Sequence, residues 1–225
     1  MKPPGEAITA LLEGIHADPF SLLGIHDGPQ GAFARAVLPG AESAEAFDLA
    51  GKKLGKLKRV DDRGLFEGKV KGARQPVKYH CKAGEHEWWV TDPYSFGPVL
   101  GPIDDLLIAE GAHFRLFDKL GAHCIAHEGA QGVHFAVWAP NARHVALTGD
   151  FNDWDHRRHP MRRRTDIGVW IATDGGNART GTCNHYNLVN SQSGVFSQDG
   201  DQCGDMTNAA SANVPLGVIS TECKT

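Results

Sequence analysis

Long apolar runs are absent from this 225-residue chain, and so is an excess of positive charge. No apolar run approaches the roughly 20 residues that a membrane-spanning helix needs, so we expect no membrane partner. With 23 basic and 27 acidic residues, the formal net charge of −4 offers no basic field for nucleic acid. The segment Met1-Lys-Pro-Pro-Gly-Glu6 lacks the apolar core of a secretory signal, which predicts a cytoplasmic protein.

Paired cysteines are also missing. The five cysteines are an odd number, and neither Cys81 nor Cys124 belongs to a Cys-x-x-Cys pair. This pattern predicts reduced thiols without a disulfide framework or a zinc site. His113, His123 and His127 are close in sequence, but their spacing matches no recognised set of ligands, so we predict no metal and no cofactor.

Tryptophan is absent beyond residue 172, where the composition changes abruptly. All five tryptophans precede that position, whereas six of the eight asparagines and three of the five cysteines follow it. Segment 173–225 cannot bury enough apolar surface to offset its ordering entropy, so we predict disorder there. One interpretation is a flexible tail or linker. The interpretation we favour is a segment translated out of frame or fused from another source, because the break falls inside a strand-rich unit.

The most informative stretch runs from Gly132 to Asp155. It predicts two short strands around a Pro-Asn turn, followed by Asp150-Phe-Asn-Asp-Trp154. A tryptophan held on such a polar loop presents a flat face that is suited to stacking on a sugar ring.

An internal repeat organises the first 172 residues. Three ordered segments recur at offsets of 97, 101 and 104 residues. Leu23-Gly-Ile-His26 recurs as Leu120-Gly-Ala-His123. Val37-Leu-Pro-Gly-Ala41 recurs as Trp138-Ala-Pro-Asn-Ala142, and Gly64-Leu-Phe66 recurs as Gly168-Val-Trp170. Each copy contains short β-rich runs between Gly, Pro or Asp turns, as in an all-β sandwich.

Helical periodicity occurs at two places. Ile8, Leu11, Leu12 and Ile15 follow the spacing of one helix face, and segment 104–120 is a second, interrupted example. We therefore predict an all-β protein with two tandem immunoglobulin-like sandwiches joined by a short helical connector. The predicted boundaries are an N-terminal helix at 1–17, a first sandwich at 18–100, a connector at 101–124, an incomplete second sandwich at 125–172 and a tail at 173–225.

Several ordered motifs together resemble the N-terminal region of bacterial 1,4-α-glucan (glycogen) branching enzymes. These motifs are Asp18-Pro-Phe-Ser-Leu-Leu-Gly-Ile-His26, Asp92-Pro-Tyr-Ser-Phe96, Phe117-Asp-Lys-Leu-Gly-Ala-His123, the 135–155 run, His159-Pro-Met161 and Gly168-Val-Trp170. The second copy resembles the family 48 carbohydrate-binding module, which is also found in the β subunit of the AMP-activated kinase. The resemblance covers residues of about 8 to 172.

The resemblance implies that two β-sandwich modules precede an α-amylase-type barrel, which holds the catalytic carboxylates and is the missing partner here. Transfer at a glucosidic bond needs a nucleophilic carboxylate and an acid/base carboxyl about 5–5.5 Å apart. Asp150, Asp153 and Asp155 cluster in a turn, where Asp commonly caps the backbone, so we assign them no catalytic role. We therefore expect no branching activity from this chain and at most weak binding of α-1,4-glucan.

The resemblance also indicates candidate glucan-binding residues. Trp154 and Asn152 match the Phe-Asn-x-Trp motif, although Trp154 could instead plug the sandwich and Asn152 could form the turn. Lys78 in the first copy matches a lysine of the kinase-type surface, and Trp88 or Trp89 matches its second tryptophan. Adjacent strand residues point to opposite faces, so one of the two should be exposed. We expect four other aromatics to be packing residues, namely Trp138, Trp170, Phe135 and Phe151.

Three alternatives stay open at this point. The chain could belong to another α-amylase-type enzyme with a similar module, such as a debranching enzyme or a trehalohydrolase. It could be a stand-alone α-glucan-binding or scaffolding protein, which would require an ordered tail that completes the second sandwich. It could also be the non-functional product of a damaged gene.

Overall fold

The computed structural model describes residues 5–29, 31–72, 76–149, 152–164 and 167–174, together with the backbone of two strands at 186–190 and 194–196. The chain divides into two compact units. The first comprises residues 1–97 and 126–130, and the second comprises residues 98–125 and 131–225. Each unit begins with a short helix and continues as antiparallel β-strands.

Among the residues that the structure describes, the first unit contains one α-helix, seven strands and two 3-10 turns at Pro19–Ser21 and Pro93–Ser95. Helix α1 (Gly5–Leu12) buries Leu11 and Leu12, as their spacing predicts, and it ends before Gly14, whose φ is +71°. Ile15 therefore lies beyond the helix and is exposed. The strands are β1 (Gly24–Gly28), β2 (Gly31–Val37), β3 (Ser43–Asp48), β4 (Lys53–Asp61), β5 (Leu65–Lys69), β6 (Val77–Ala83) and β7 (His86–Thr91).

These strands lie in the order β1-β2-β5-β4-β3-β6-β7 and enclose a single core. Ala34 and Phe66, at one end of that order, belong to the same buried cluster as Val77 and Tyr79 near the other end. The sheet must therefore fold over on itself, which confirms the predicted sandwich. Alternation places the buried residues of each strand on this inner side.

Strand β4 makes the fold possible because it pairs with β3 through its first half and with β5 through its second half. Gly55 and Gly68 lie where β4 and β5 approach most closely. A Cβ at Gly55 would overlap the carbonyl oxygen of Lys69, and a Cβ at Gly68 would overlap that of Lys56. Glycine is required at both positions by this close backbone approach rather than by its conformation.

The second unit repeats the same plan. Helix α2 (Pro102–Ala109) is followed by strands in two sheets, ordered β11-β12-β9-β8 and β10-β13-β14. The strands are β8 (Gly121–His127), β9 (Ala130–Trp138), β10 (Val145–Gly149), β11 (Arg162–Arg164), β12 (Val169–Asp174), β13 (Tyr186–Asn190) and β14 (Gly194–Phe196). Val133, Phe135, Leu147 and Trp170 form a core on one face of β9 and β12, and a second apolar cluster that includes Ile108 of α2 covers the opposite face.

The strand order confirms the internal repeat and extends it. Strands β8, β9, β12 and β11 occupy the places of β1, β2, β5 and β4, while β10, β13 and β14 occupy those of β3, β6 and β7. Helices α1 and α2 are also equivalent, at an offset of 97 residues. The predicted connector is therefore better described as the first element of the second unit, with which it groups.

The predicted boundary at residue 172 is wrong. Strand β12 continues to Asp174, and β13 pairs with β10 from Val145↔Asn190 to Gly149↔Tyr186. Strand β14 then pairs with β13, so the second unit has all seven strands of the repeat. The composition change misled the prediction, because short strands in the second sheet need few large apolar residues. Residues 197–225 lie outside the described residues, and the out-of-frame origin of the tail stays a prediction.

The cysteine prediction also needs a correction. Cys81 is a free, buried thiol, but Cys124 takes part in a disulfide, so the thiols are not all reduced. Among the described residues, no helix is both long and apolar enough to cross a membrane.

Candidate functional site

Trp89 forms an exposed aromatic surface on the first unit. It faces outward from the edge strand β7 with 51% of its area exposed, whereas Trp88 packs against the core on the opposite side. Because Trp89 lies directly across from His80 on β6, the two rings stack with centroids 4.6 Å apart. The ring of Phe47 on β3 meets Trp89 edge-on at 5.0 Å. The structure thus identifies Trp89 as the exposed member of the pair.

Charged groups surround this ring. The Lys78 ammonium lies 5.0 Å from the centroid of the Trp89 ring and donates a 3.3 Å hydrogen bond to the carbonyl oxygen of Leu49. Glu87 accepts a hydrogen bond from Lys82 and lies 3.0 Å from His80 Nε2. The hydrogen bond from Lys82 holds the pKa of Glu87 below its ordinary value. We call Phe47, Lys78, His80, Glu87 and Trp89 the Trp89 surface.

Trp154 forms a second exposed aromatic site, on the second unit. It has 44% of its area exposed in the loop formed by residues 152–158, which we call the Trp154 loop. Asp153 and Trp154 both adopt left-handed backbone conformations, with φ values of +54° and +59°. Such conformations cost energy in residues other than glycine and persist where the surroundings enforce them. The surroundings of the loop thus enforce the backbone conformation at Trp154.

Hydrogen bonds of the Asn152 side chain hold the backbone of this loop. It is 1% exposed, its Oδ1 accepts a 2.9 Å hydrogen bond from the Gly149 amide, and its Nδ2 donates to Leu147 O at 3.0 Å and to His159 Nδ1 at 3.1 Å. Its carboxamide is therefore committed to the loop. Of the two roles that the sequence left open for Asn152, this geometry supports the turn-forming one.

The acidic cluster of this loop is held by arginines. Arg157 binds Asp155 at 2.7 Å, and Arg158 binds Asp153 at 2.8 Å. The hydrogen bond from Arg157 lowers the pKa of Asp155, which therefore remains an ionised acceptor rather than a proton donor. Asp150 and Phe151 lie outside the described residues.

Among the aromatics predicted to be packing residues, Trp138 is the exception. Trp170 is buried and donates a 3.0 Å hydrogen bond from its indole nitrogen to Ala139 O, and Phe135 is buried, so both predictions are confirmed. Trp138 is 52% exposed instead. Trp138 is the last residue of β9, and its side chain lies on the face opposite that of Trp170. The apolar cluster on that face includes Ala136 but does not include Trp138.

The repeat shows what the second unit has at the positions of the Trp89 surface. Leu147 of β10 is equivalent to Ala46 of β3, and their partners across the sheet are Leu188 and Tyr79. The residue before each partner is Asn187 in the second unit and Lys78 in the first, so Asn187 occupies the position of Lys78. Val195 pairs with Val189 as Trp89 pairs with His80. The lysine and the second tryptophan are thus replaced in the second unit, although the strands that would carry them are present.

Phe47, His80 and Glu87 are the site residues that sequence reasoning missed. Alternation along β6 places His80 on the side of Lys78, but the pairing of β6 with β3 and β7 is needed to bring them to Trp89. The three histidines considered as metal ligands have separate partners, with Nε2 of His113, His123 and His127 meeting Asp104, Leu120 O and Gly97 O. Within the described part of the chain, no cluster of side chains could hold a metal ion.

Two family models match the chain, one on each unit. Residues 4–94 match the N-terminal domain of the alpha-1,4-glucan branching enzyme GlgB. Residues 119–199 match carbohydrate-binding module 48, the isoamylase N-terminal domain. The second match extends through β13 and β14, which agrees with the completed strand set of that unit.

Curated proteins with high sequence similarity are 1,4-alpha-glucan branching enzymes GlgB. That of Novosphingobium aromaticivorans is 81% identical over 170 residues, covering 76% of this chain and 24% of the relative. That of Mesorhizobium japonicum is 58% identical over 168 residues, with coverages of 74% and 23%. That of Rhizobium meliloti is 52% identical over 189 residues, with coverages of 84% and 26%. The chain thus spans about a quarter of the length of these relatives.

Solved structures give a much weaker similarity. The pullulanase of Anoxybacillus sp. LM18-11 complexed with maltotetraose is 19% identical, with 70% of this chain and 21% of that chain covered and a TM-score of 0.26. A TM-score this low carries no argument about the present chain.

Proposed function

Because the chain belongs, through both matched segments, to the N-terminal region of the 1,4-alpha-glucan branching enzyme GlgB family, we propose that its two units bind α-1,4-glucan. The observation that carries this proposal is the half-exposed Trp89 ring, stacked on His80 and accompanied by the Lys78 ammonium. The Trp154 loop is the corresponding candidate on the second unit. We also propose that the protein binds this glucan in the cytoplasm.

The chemistry of the Trp89 surface suits a glucan chain. The flat indole can cover the C–H face of a glucose ring, while Lys78 and Glu87 supply a donor and an acceptor for the hydroxyl groups at the rim. Apolar sites with a few placed polar groups are the usual form of small-ligand sites. Phe47 and His80 pack against the Trp89 ring, so little side-chain entropy remains to be lost on binding.

The Trp154 loop offers a smaller contact. The hydrogen bonds of buried Asn152 hold the backbone of this loop, so the segment that carries Trp154 is ordered before any ligand arrives. The equivalents of Lys78 and Trp89 are absent from this unit. We therefore expect the Trp89 surface to contribute more of the affinity than the Trp154 loop.

The expected affinity is low. One or two aromatic rings against sugar supply about 4 kcal/mol after the costs of association, which corresponds to a dissociation constant of about 1 mM. A longer glucan that offers many equivalent positions raises the apparent affinity without any new contact. Glycogen in a gel is therefore a more sensitive ligand than a short oligosaccharide.

Affinity electrophoresis in glycogen-containing gels tests the proposal with four proteins: the parent chain, Trp89→Ala, Trp154→Ala and Trp138→Ala. Trp138 is the matched control, because it is as exposed as Trp89 but lies outside both candidate sites. Retardation by glycogen should fall strongly for Trp89→Ala, moderately for Trp154→Ala and not for Trp138→Ala. Equal mobility of all four proteins, or an equal loss in all three variants, rejects the proposal.

We also propose that, in a whole enzyme, these units hold glucan chains for the transfer of an α-1,4 segment to an α-1,6 position. The branching activity is that of relatives of which the match with this chain covers only 24%, and the acidic residues of the Trp154 loop are bound by arginines. The chain alone should therefore leave the iodine absorption spectrum of amylose unchanged. A shift of that spectrum by the purified chain would show catalysis and contradict this part of the proposal.

A further inference from the structure

Four large apolar side chains are exposed close together on the second unit. Ile103 and Leu106 lie on the outward face of α2, with 73% and 57% of their areas exposed. Phe114 and Phe117 follow in the segment between α2 and β8, and they are 93% and 70% exposed. We call these four residues the apolar patch. Single exposed apolar residues are ordinary on a protein surface, whereas a group of this size marks an interaction site.

Contacts of Asp104 bring the two halves of the apolar patch together. Its carboxylate lies 3.1 Å from His113 Nε2 and 3.2 Å from Lys119 Nζ. The segment that carries the two phenylalanines is therefore folded back against the beginning of α2 at both of its ends. Ile103 precedes Asp104 in the chain and Phe114 follows His113, so the aliphatic and the aromatic halves are neighbours.

The first unit shows that this fold does not require an apolar patch. The two helices are equivalent at an offset of 97 residues, and the exposed residues Glu6 and Thr9 stand at the positions of the two aliphatic residues. Ala17 stands at the position of Phe114. Polar or small residues therefore satisfy the fold at three of the four positions, so the apolar patch needs another explanation.

Phe117 differs from its equivalent in the first unit by the loss of a ring partner. Phe20 occupies the same position there, and Tyr94 packs edge-on against it with the ring centroids 4.9 Å apart. Tyr94 follows directly after β7, whereas the sequence contains no aromatic residue after Phe196, the last residue of β14. The segment after β14 therefore cannot supply a matching ring, and a second molecule can.

The carboxylates around the apolar patch are already paired. Asp105 Oδ1 accepts a 3.2 Å hydrogen bond from Arg164 Nε, and Asp118 lies 2.5 Å from Arg115 Nε. The third carboxylate, that of Asp104, is held by the contacts described above. Because these charges are balanced locally, two copies of this surface can meet without the repulsion that unpaired like charges would cause.

We propose that two copies of the chain associate through their apolar patches, around a two-fold axis near Phe117. Such an interface is self-complementary, because each copy presents the same surface to the other. Each Phe117 then supplies the ring that the other lacks. Arg115 and Asp118 flank Phe117, so the axis places Arg115 of one copy opposite Asp118 of the other. The apolar patch shares no residue with the Trp89 surface or the Trp154 loop, and the association does not depend on glucan binding.

The association should be weak and dependent on concentration. From their exposed fractions, Phe114 and Phe117 present about 300 Å² in each copy, so a dimer buries about 600 Å² of aromatic surface. Even with Ile103 and Leu106, the apolar contact is smaller than the roughly 1,600 Å² of a standard stable interface. We therefore expect monomers and dimers in exchange rather than a permanent dimer.

Sedimentation equilibrium of the full chain, from micromolar to submillimolar concentration, tests this interface. The test variant is Phe114→Ser with Phe117→Ser. The matched control is Ile15→Ser with Val60→Ser, which removes two exposed apolar side chains from the first unit. Circular dichroism and thermal unfolding establish that each variant is folded, and non-reducing gel electrophoresis establishes that no covalent dimer contributes.

The parent and the control should both fit an equilibrium between monomer and dimer. The dissociation constant of the dimer should rise by at least about tenfold in the test variant and stay within about twofold in the control, because central aromatic residues carry most of the energy of an interface. A parent that is monomeric at every concentration overturns the proposal. An equal change in both double variants also overturns it, since that result would show non-specific apolar association.

Two charge variants test the two-fold arrangement. Asp118→Arg places a cation opposite Arg115 of the second copy and should weaken the dimer. Combining Asp118→Arg with Arg115→Asp restores opposite charges and should return the dissociation constant to that of the parent. Equal weakening in both variants contradicts an axis near Phe117. Species larger than a dimer contradict the closed interface, since only a head-to-tail contact continues beyond two copies.

Discussion

The phenol of Tyr79 donates a 2.9 Å hydrogen bond to Oδ2 of Asp92 inside the first unit, where both residues are 1% exposed. The other carboxylate oxygen, Oδ1, accepts a 3.0 Å hydrogen bond from the amide of Tyr94. Burial raises the pKa of Asp92 to about 7, although both hydrogen bonds oppose the shift. The pKa of Tyr79 is also raised, by burial first and by the nearby Asp92, so the phenol keeps its proton.

Asp92→Asn should make the first unit less sensitive to pH. A carboxyl whose pKa is raised on folding stabilises the native state below its unfolded pKa of 3.8, and this contribution is lost as the pH rises through about 7. Asparagine imitates the neutral acid and has no charge to bury. Relative to the variant, the parent should therefore lose about 4 kcal/mol of unfolding free energy between pH 4 and pH 8.

Urea unfolding at several pH values in this range measures that difference. Asp62→Asn serves as the control, because Asp62 is exposed and its substitution should leave the pH profile of the parent unchanged. A constant difference between parent and Asp92→Asn at every pH would mean that Asp92 stays ionised throughout, contrary to the prediction.

Asn152→Ala should loosen the Trp154 loop. The substitution leaves the Gly149 amide and the Leu147 carbonyl without their partner, and an unpaired buried group costs about 1–3 kcal/mol. Thermal unfolding measures the loss of stability. Asn141→Ala is a suitable control, since Asn141 is exposed. If both variants unfold with the parent, Asn152 does not hold the loop.

Gly55→Ala should be strongly destabilising because its Cβ would overlap a backbone carbonyl oxygen that cannot move aside. Such steric damage is among the mechanisms that cost more than about 4 kcal/mol. Gly5→Ala is the matched control, because a Cβ there meets nothing within 4 Å. Denaturant unfolding of both variants compares them, and a folded, parent-like Gly55→Ala protein would contradict the close crossing of β4 and β5.

Cys81 should resist alkylation in the native protein. Burial raises the pKa of its thiol to about 12, so almost no thiolate exists at pH 8 and the sulfur is enclosed. Treatment with iodoacetamide, followed by peptide mass spectrometry, should find Cys81 unmodified in buffer and fully modified in urea. Rapid native modification would show that the core around β6 opens readily.

The repeated sandwich was predictable because its motifs mark turns at fixed places. Gly64-Leu-Phe66 and Gly168-Val-Trp170 each begin a strand whose large aromatic is buried, and the structure places Phe66 and Trp170 in the two cores. Strand β4 was not predicted, because its lysines and its glycine leave Leu57 as the one buried residue, without an alternating apolar and polar pattern. Strands β13 and β14 were missed because the composition of their surroundings suggested disorder.

The candidate site was predictable only in part. The sequence singled out Trp89, Lys78 and Trp154, but solvent exposure separates Trp89 from its neighbour Trp88, and exposure depends on strand pairing. Trp138 was misassigned for the same reason, because strand membership predicts burial only while other elements cover that face. His80 carries no distinctive motif, and the cross-strand register alone brings it to Trp89.

The matching strand orders of the two units describe one backbone plan that occurs twice with different residues at equivalent strand positions. One copy has Trp89 and Lys78 where the other has Val195 and Asn187, and an Arg35–Glu67 pair stands where the other has Ala136 and Ile171. Each unit therefore serves as a natural multiple mutant of the other. The difference between the two units therefore lies in the residues at a few strand positions, while the sheet order that carries those residues is the same.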